Sequence, residues 1–100
     1  MAYARTVILE SQVEEYLEKE QKRDPYLKNI VLALEWRIAR QPEAGYRVPR
    51  FDPPRYIAKS KFYRQPLPRF LRLMYQYDDD KVIVEFAKVV REDDSDGGGG

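Results

Sequence analysis

Between Arg47 and Arg72 the chain carries eight basic residues (Arg47, Arg50, Arg55, Lys59, Lys61, Arg64, Arg69 and Arg72) against one acid, Asp52. A local field of that sign attracts phosphates, although the formal net charge of the whole chain is only +1. The chain has no histidine and no cysteine. That excludes Ser-His-Asp and Cys-His nucleophiles, thiolate metal sites and disulfides. Acid–base chemistry must then come from Lys, Arg, Tyr, Asp or Glu. Arginine can clamp a phosphate with a rigid fork of donors, and a lysine of depressed pKa can act as a base. The plainer alternative is that these cations solvate the uncovered face of a half-buried sheet.

Two of the arginines, Arg69 and Arg72, sit inside an apolar run, "RFLRLMYQYDDDKVIVEFAKVV", which reads as a β-hairpin with an acidic turn at Asp78–Asp80. Alternation places Leu71, Leu73, Tyr75 and Tyr77 on one face of its first strand and Phe70, Arg72, Met74 and Gln76 on the other. The preceding strand is expected over Arg55 to Tyr63, with Tyr56, Ala58 and Phe62 alternating against Lys59, Lys61 and Tyr63. Lys59, Lys61 and Arg72 would then share an open face, with Tyr63 and Phe70 available for stacking and Arg69 assisting from the rim.

The elements that must hold this face begin with a β-type run at Ala4 to Glu10. Ser11 and Glu14 have capping-box spacing ahead of a first helix bearing Val13, Tyr16 and Leu17. Asp24 and Pro25 read as the start of a second helix, about Pro25 to Arg40. That helix has Leu27, Ile30, Val31, Leu34 and Ile38 on one face at helical spacing and Leu32 and Trp36 on the other. Prolines between Tyr46 and Arg64 confine strands to short pieces, one of them near Tyr46 to Val48. The fold class expected is α+β, in the order β-α-α-β-β-β: a twisted, antiparallel-dominated sheet with an N-terminal helical hairpin packed on one face.

One hundred residues, 43% of them hydrophobic, suit a single core, here residues 1–91. Residues 92–100 form an acidic, glycine-rich tail of a composition that favours disorder. No run approaches the ~18 apolar residues of a membrane span, and acids arrive too early for a signal peptide. Neither a cofactor nor a metal is expected: three consecutive aspartates in a tight turn cannot all converge on one ion. Glu85, in an apolar strand, is read as one half of a cross-strand salt bridge in preference to an acid or base.

The order of elements, with "YIAKSK" and then "RLMYQYDDDKVIVEFAKVV", resembles the RelE/ParE superfamily of bacterial type II toxins over about residues 4–91. The resemblance rests on topology and on the Arg-Leu-apolar-Tyr-Gln run at Arg72 to Gln76. It implies a cytoplasmic toxin that enters the ribosome, cuts mRNA without a metal and so inhibits translation, held in check by a cognate antitoxin protein. Lys59 matches a strand lysine of RelE-type members, Lys61 follows it, and Arg72 matches the arginine before the Leu-apolar-Tyr-Gln run; these three would be catalytic. Arg55, Tyr63, Arg64, Arg69 and Arg91 are the further expected nucleic-acid contacts. Leu32 and Trp36 would receive a protein partner. The pattern departs at Ile57, where RelE-type toxins carry another lysine, and after Arg91, where "EDDSDGGGG" replaces a basic segment with a functional tyrosine. The alternative is a non-catalytic module on the same fold, either a DNA gyrase inhibitor of the ParE type or a degenerate toxin that only binds a partner.

Overall fold

The structure, a computed structural model, describes residues 4–61, 63–64 and 68–91. It is α+β, in the order β1 (Thr6–Leu9), α1 (Ser11–Arg23), α2 (Leu27–Arg40), β2 (Tyr46–Val48), β3 (Arg55–Lys59), β4 (Tyr63–Arg64), β5 (Pro68–Tyr77) and β6 (Lys81–Arg91). One sheet runs β1-β6-β5-β3-β2, with β4 also pairing β5. All pairings are antiparallel except β1 with β6, where Thr6 to Leu9 lie parallel to Lys81 to Val84. The parallel pair is possible because the helical hairpin carries the chain away from β1, which no tight turn could do.

Each helix starts with a small departure from the capping chemistry legible in the sequence. Only Glu10 separates β1 from α1, so Ser11 is already helical and no side chain caps that terminus. The Glu10 carbonyl takes the N–H groups of Val13 and Glu14 instead. At α2 the Asp-Pro signal acts one turn early: the Asp24 carboxylate accepts the Tyr26 N–H at 3.2 Å, and regular α-helix follows from Leu27. The apolar faces fall as the spacing predicts. Val13 and Leu17 of α1 and Leu27, Val31, Leu34 and Ile38 of α2 are buried, with Ile30 packed against them.

These side chains cover one face of the sheet, formed by Ala58, Leu71, Leu73, Tyr75, Val82, Val84, Ala87 and Val89. Tyr75 anchors the end of α2, donating its hydroxyl hydrogen bond to the Pro42 carbonyl at 2.5 Å. Gly45 makes room for that contact, because a Cβ there would overlap the tyrosine hydroxyl.

Two irregularities decide which residues reach the opposite face. Tyr75 pairs with Val84 while Met74 pairs with Phe86, so Glu85 is the extra residue of a β-bulge in β6. Glu85 and Phe86 therefore follow one another on the same side. The second irregularity separates β3 from β4: Lys59 pairs with Arg72, but Tyr63 pairs with Arg69, which leaves one more residue on the β3–β4 side than on β5. Ser60 spans the break, its N–H donating to Leu71 O and its hydroxyl accepting from Leu71 N. An odd number of inserted residues inverts the alternation that follows. Tyr63, expected beside Lys59, accordingly lies on the helix side and belongs to the core.

Candidate nucleic-acid interface

The face of the sheet turned away from the helices carries a row of cations. Lys59, Arg72 and Lys88 are direct neighbours across β3, β5 and β6, since Lys59 pairs with Arg72 and Arg72 with Lys88. Adjacent strands lie about 4.8 Å apart, so the three cations form one row of roughly 10 Å across the strands. Lys59 and Lys88 are exposed and Arg72 is half-buried. Two residues along each strand, a second row runs Tyr46, Ile57, Met74 and Phe86. Tyr46 and Phe86 are 65% and 45% exposed, which is large for aromatic side chains on a sheet. Tyr46, Ile57, Lys59 and Arg72 line a shallow hollow of about 480 Å³. On the other side of the basic row, the Lys59 ammonium stands 5.7 Å from the centre of the Phe70 ring.

A cationic row beside an apolar, partly aromatic one can bind a phosphodiester along the first and stack bases on the second. The local acid is occupied. Arg55 of β3 reaches across β5 to the Glu85 carboxylate, and Gln76, between them, donates to the other carboxylate oxygen at 2.9 Å. Arg55 also donates to Pro53 O and lies over the Phe51 ring. The bulge thus turns Glu85 into the partner of Arg55, the cross-strand bridge that the sequence reading favoured. Arg55 is on the open face but is tied into the sheet.

Lys59 and Arg72 are the expected site residues that this face brings together. Lys61 leaves the sheet at the β3–β4 break and lines a different hollow, against α2. Arg69 has the same parity as Leu71 and Leu73, so it points into the helix-covered side, where it is 8% exposed and 3.7 Å from Asp24. Arg91, paired with Arg69 in the sheet, shares that side and stands 4.0 Å from Glu20. Tyr63 is 7% exposed beside Tyr26, and burial, with the nearby Asp24 charge adding to it, pushes its hydroxyl up to about 12. Arg64 lies in β4 opposite Pro68, and its side chain falls outside the described residues, as do Phe62 and the tail 92–100.

Leu32 and Trp36 are 54% and 61% exposed on the outer side of α2, with the Arg40 guanidinium 4.1 Å from the Trp36 ring. They are remote from the basic row, on the opposite layer of the fold. Among the described residues no cluster of acids is arranged to hold a metal ion, and no helix is long and apolar enough to cross a membrane.

Sequence reasoning missed Lys88 and Tyr46. Lys88 was legible as the polar position between Ala87 and Val89. Its place beside Arg72 required the register set by the Glu85 bulge. Tyr46 gave no local signal, because only the pairing of β2 with β3 brings it next to Ile57. No family model, no curated protein and no solved structure matches the chain.

Proposed function

We propose that this chain is a toxin of the RelE/ParE type, a cytoplasmic, ribosome-dependent mRNA endoribonuclease that inhibits translation and is neutralised by an antitoxin protein. The observation that carries the reading is the row Lys59–Arg72–Lys88 on an uncovered sheet face, flanked by Tyr46 and Phe86. In the reaction the RNA 2′-hydroxyl attacks the adjacent phosphorus to give a 2′,3′-cyclic phosphate, and the 5′-oxygen leaves, taking up a proton from solvent. Arg72, central in the row, stabilises the charge that develops on the phosphoryl oxygens. Lys59 stands beside it, as the proton acceptor for the 2′-hydroxyl when it is a neutral amine and as a further clamp on the phosphate when it is an ammonium, and Lys88 holds a neighbouring phosphate. Tyr46, in the same hollow as Lys59 and Arg72, stacks on a base. The order of one strand, a helical hairpin and then an antiparallel run of strands, with the hairpin on one face of the sheet, supports the same reading.

The test is primer extension on an mRNA in a purified translation reaction. Discrete cuts should appear only with ribosomes, and Arg72→Ala should lower cleavage at least 100-fold without changing the circular dichroism spectrum. Cleavage unchanged by Arg72→Ala would overturn the role of the row. A second reading, a non-catalytic inhibitor of DNA gyrase or another protein-binding module, is favoured by Ile57 at a position expected to be basic and by the burial of Tyr63. It predicts no cuts at any excess over ribosomes, and inhibition of supercoiling in the gyrase form.

A further inference from the structure

The uncovered face does not end at β3. Strand β2 pairs with β3 only from Arg55 to Ile57, so the edge of the sheet is uncovered by a strand at Lys59. Around this edge lie three hollows that share residues. The open-face hollow of about 480 Å³ includes Lys59. A second, of about 270 Å³, includes both Lys59 and Arg37. A third, of about 360 Å³, lies against α2 and is lined by Tyr26, Ile30, Ala33, Leu34, Arg37 and Lys61, with Ser60 and Tyr63 closing it. Among the described residues no acid lines any of the three. The Arg37 guanidinium donates to the Lys59 carbonyl, which fixes it at the crest between the two sides.

We propose that a single RNA strand held by the basic row turns over this edge, with Arg37 on the phosphate at the crest and the next base seated in the hollow against α2. The inference rests on the RNA reading above and extends it from a single face to a wrapped path. The sequence of cations along that path is Lys88, Arg72, Lys59, Arg37 and Lys61, which makes it positive throughout. The chemistry of the last hollow selects a base in preference to a further phosphate. Its walls are largely apolar, with Tyr26 and Tyr63 paired at 5.8 Å between ring centres, and its cations supply donors for one neighbouring anion. A planar, weakly polar ring with a phosphate attached fits both properties. Ala33, exposed on α2, is the smallest side chain in the wall and sets how much room the ring has.

The experiment measures anisotropy of two labelled single-stranded oligoribonucleotides on the full chain at low salt. One, three nucleotides long, spans only the basic row; the other, eight long, reaches past the edge. Ala33→Phe fills the hollow, and Arg37→Gln removes the crest cation while keeping a donor for Lys59 O. Both variants should weaken the octamer about tenfold and leave the trimer unchanged, and Arg37→Gln should also flatten the octamer's salt dependence by roughly 0.7 in log–log slope. Arg72→Ala should weaken both oligomers. If it does so while Ala33→Phe and Arg37→Gln change neither, the hollow is overturned and the RNA face stands. Equal weakening of trimer and octamer by Ala33→Phe and Arg37→Gln also overturns the hollow, since a general disturbance explains it. Absence of binding by the unmodified protein overturns this inference, whereas the ribosome-dependent reading stands or falls by the primer-extension assay.

Discussion

Arg69 and Arg72 are three residues apart on β5 and have opposite surroundings. Arg69 faces the helices, is 8% exposed and stands near Asp24 at the turn between α1 and α2. Arg72 faces outward between Lys59 and Lys88. The whole strand divides in this way: Leu71, Leu73 and Tyr75 are fully buried, while Phe70, Arg72, Met74 and Gln76 are half-buried on the uncovered side. One strand therefore supplies a core and a candidate site at once. An odd-numbered separation in a strand changes a residue's task completely, because its neighbours become those of the other layer.

The sharpest way to break this comparison is to truncate adjacent residues on β5. Leu73→Ala should cost about 3 kcal/mol in urea unfolding, through lost transfer energy and a cavity beneath the helices. Met74→Ala, one position on, should cost less than ~1 kcal/mol and act on RNA binding instead. Equal costs would mean that the open face is covered in solution.

A second contrast uses the arginines themselves. Arg69→Ala should destabilise by about 2 kcal/mol, since it leaves the Asp24 carboxylate half-buried without its cation. Arg72→Ala should shift stability by less than ~0.5 kcal/mol, the usual range for a surface change, while abolishing cleavage. Exchange of those two outcomes would refute the assignment of faces.

Glu85→Ala tests the bulge, and should cost about 1 kcal/mol by removing the acceptor shared by Arg55 and Gln76. Arg55, released, should then strengthen RNA binding in an anisotropy titration.

The smallest effect at neutral pH is expected of Tyr63→Phe. The Tyr63 hydroxyl is buried and has no hydrogen-bond partner among the described residues, so its removal should be neutral or stabilising by less than ~1 kcal/mol. The alkaline limb distinguishes it. Unfolded tyrosine loses its proton near pH 10, whereas folded Tyr63 holds it to about 12, so its contribution is full below pH 10 and is lost as pH rises towards 12. Stability should fall across that window, and Tyr63→Phe should make the fall shallower. Burial also raises Tyr75, so part of the slope should persist.

The helical hairpin, the apolar face of α2 and the two faces of β5 were legible because periods of 3.6 and 2 survive intact over long runs. The same alternation that correctly exposed Arg72 already implied that Arg69, with the parity of Leu71, turns inward. The rim position expected for it disregarded that parity. Lys61 and Tyr63 leave the surface that alternation predicts for another reason. Their alternation assumed an unbroken strand, and the break at Ser60 carries no glycine or proline that would announce it. The capping box at Ser11 failed because it competes with a β-strand that runs to within one residue of the helix.

By itself the sequence determined the order of the first strand, the helical hairpin and the strands that follow, the layer each long run would present to the core, and a local excess of positive charge in the middle of the chain. These follow from short-range periodicity and composition, which each segment carries whatever its neighbours do. Only the tertiary structure decided that Lys88 of β6 and Tyr46 of β2 join Lys59 and Arg72, and that Arg37 of α2 stands at the edge beside them. Those neighbours are set by strand order and by two one-residue irregularities. A single inserted residue inverts every side chain beyond it while leaving the local sequence pattern almost unchanged.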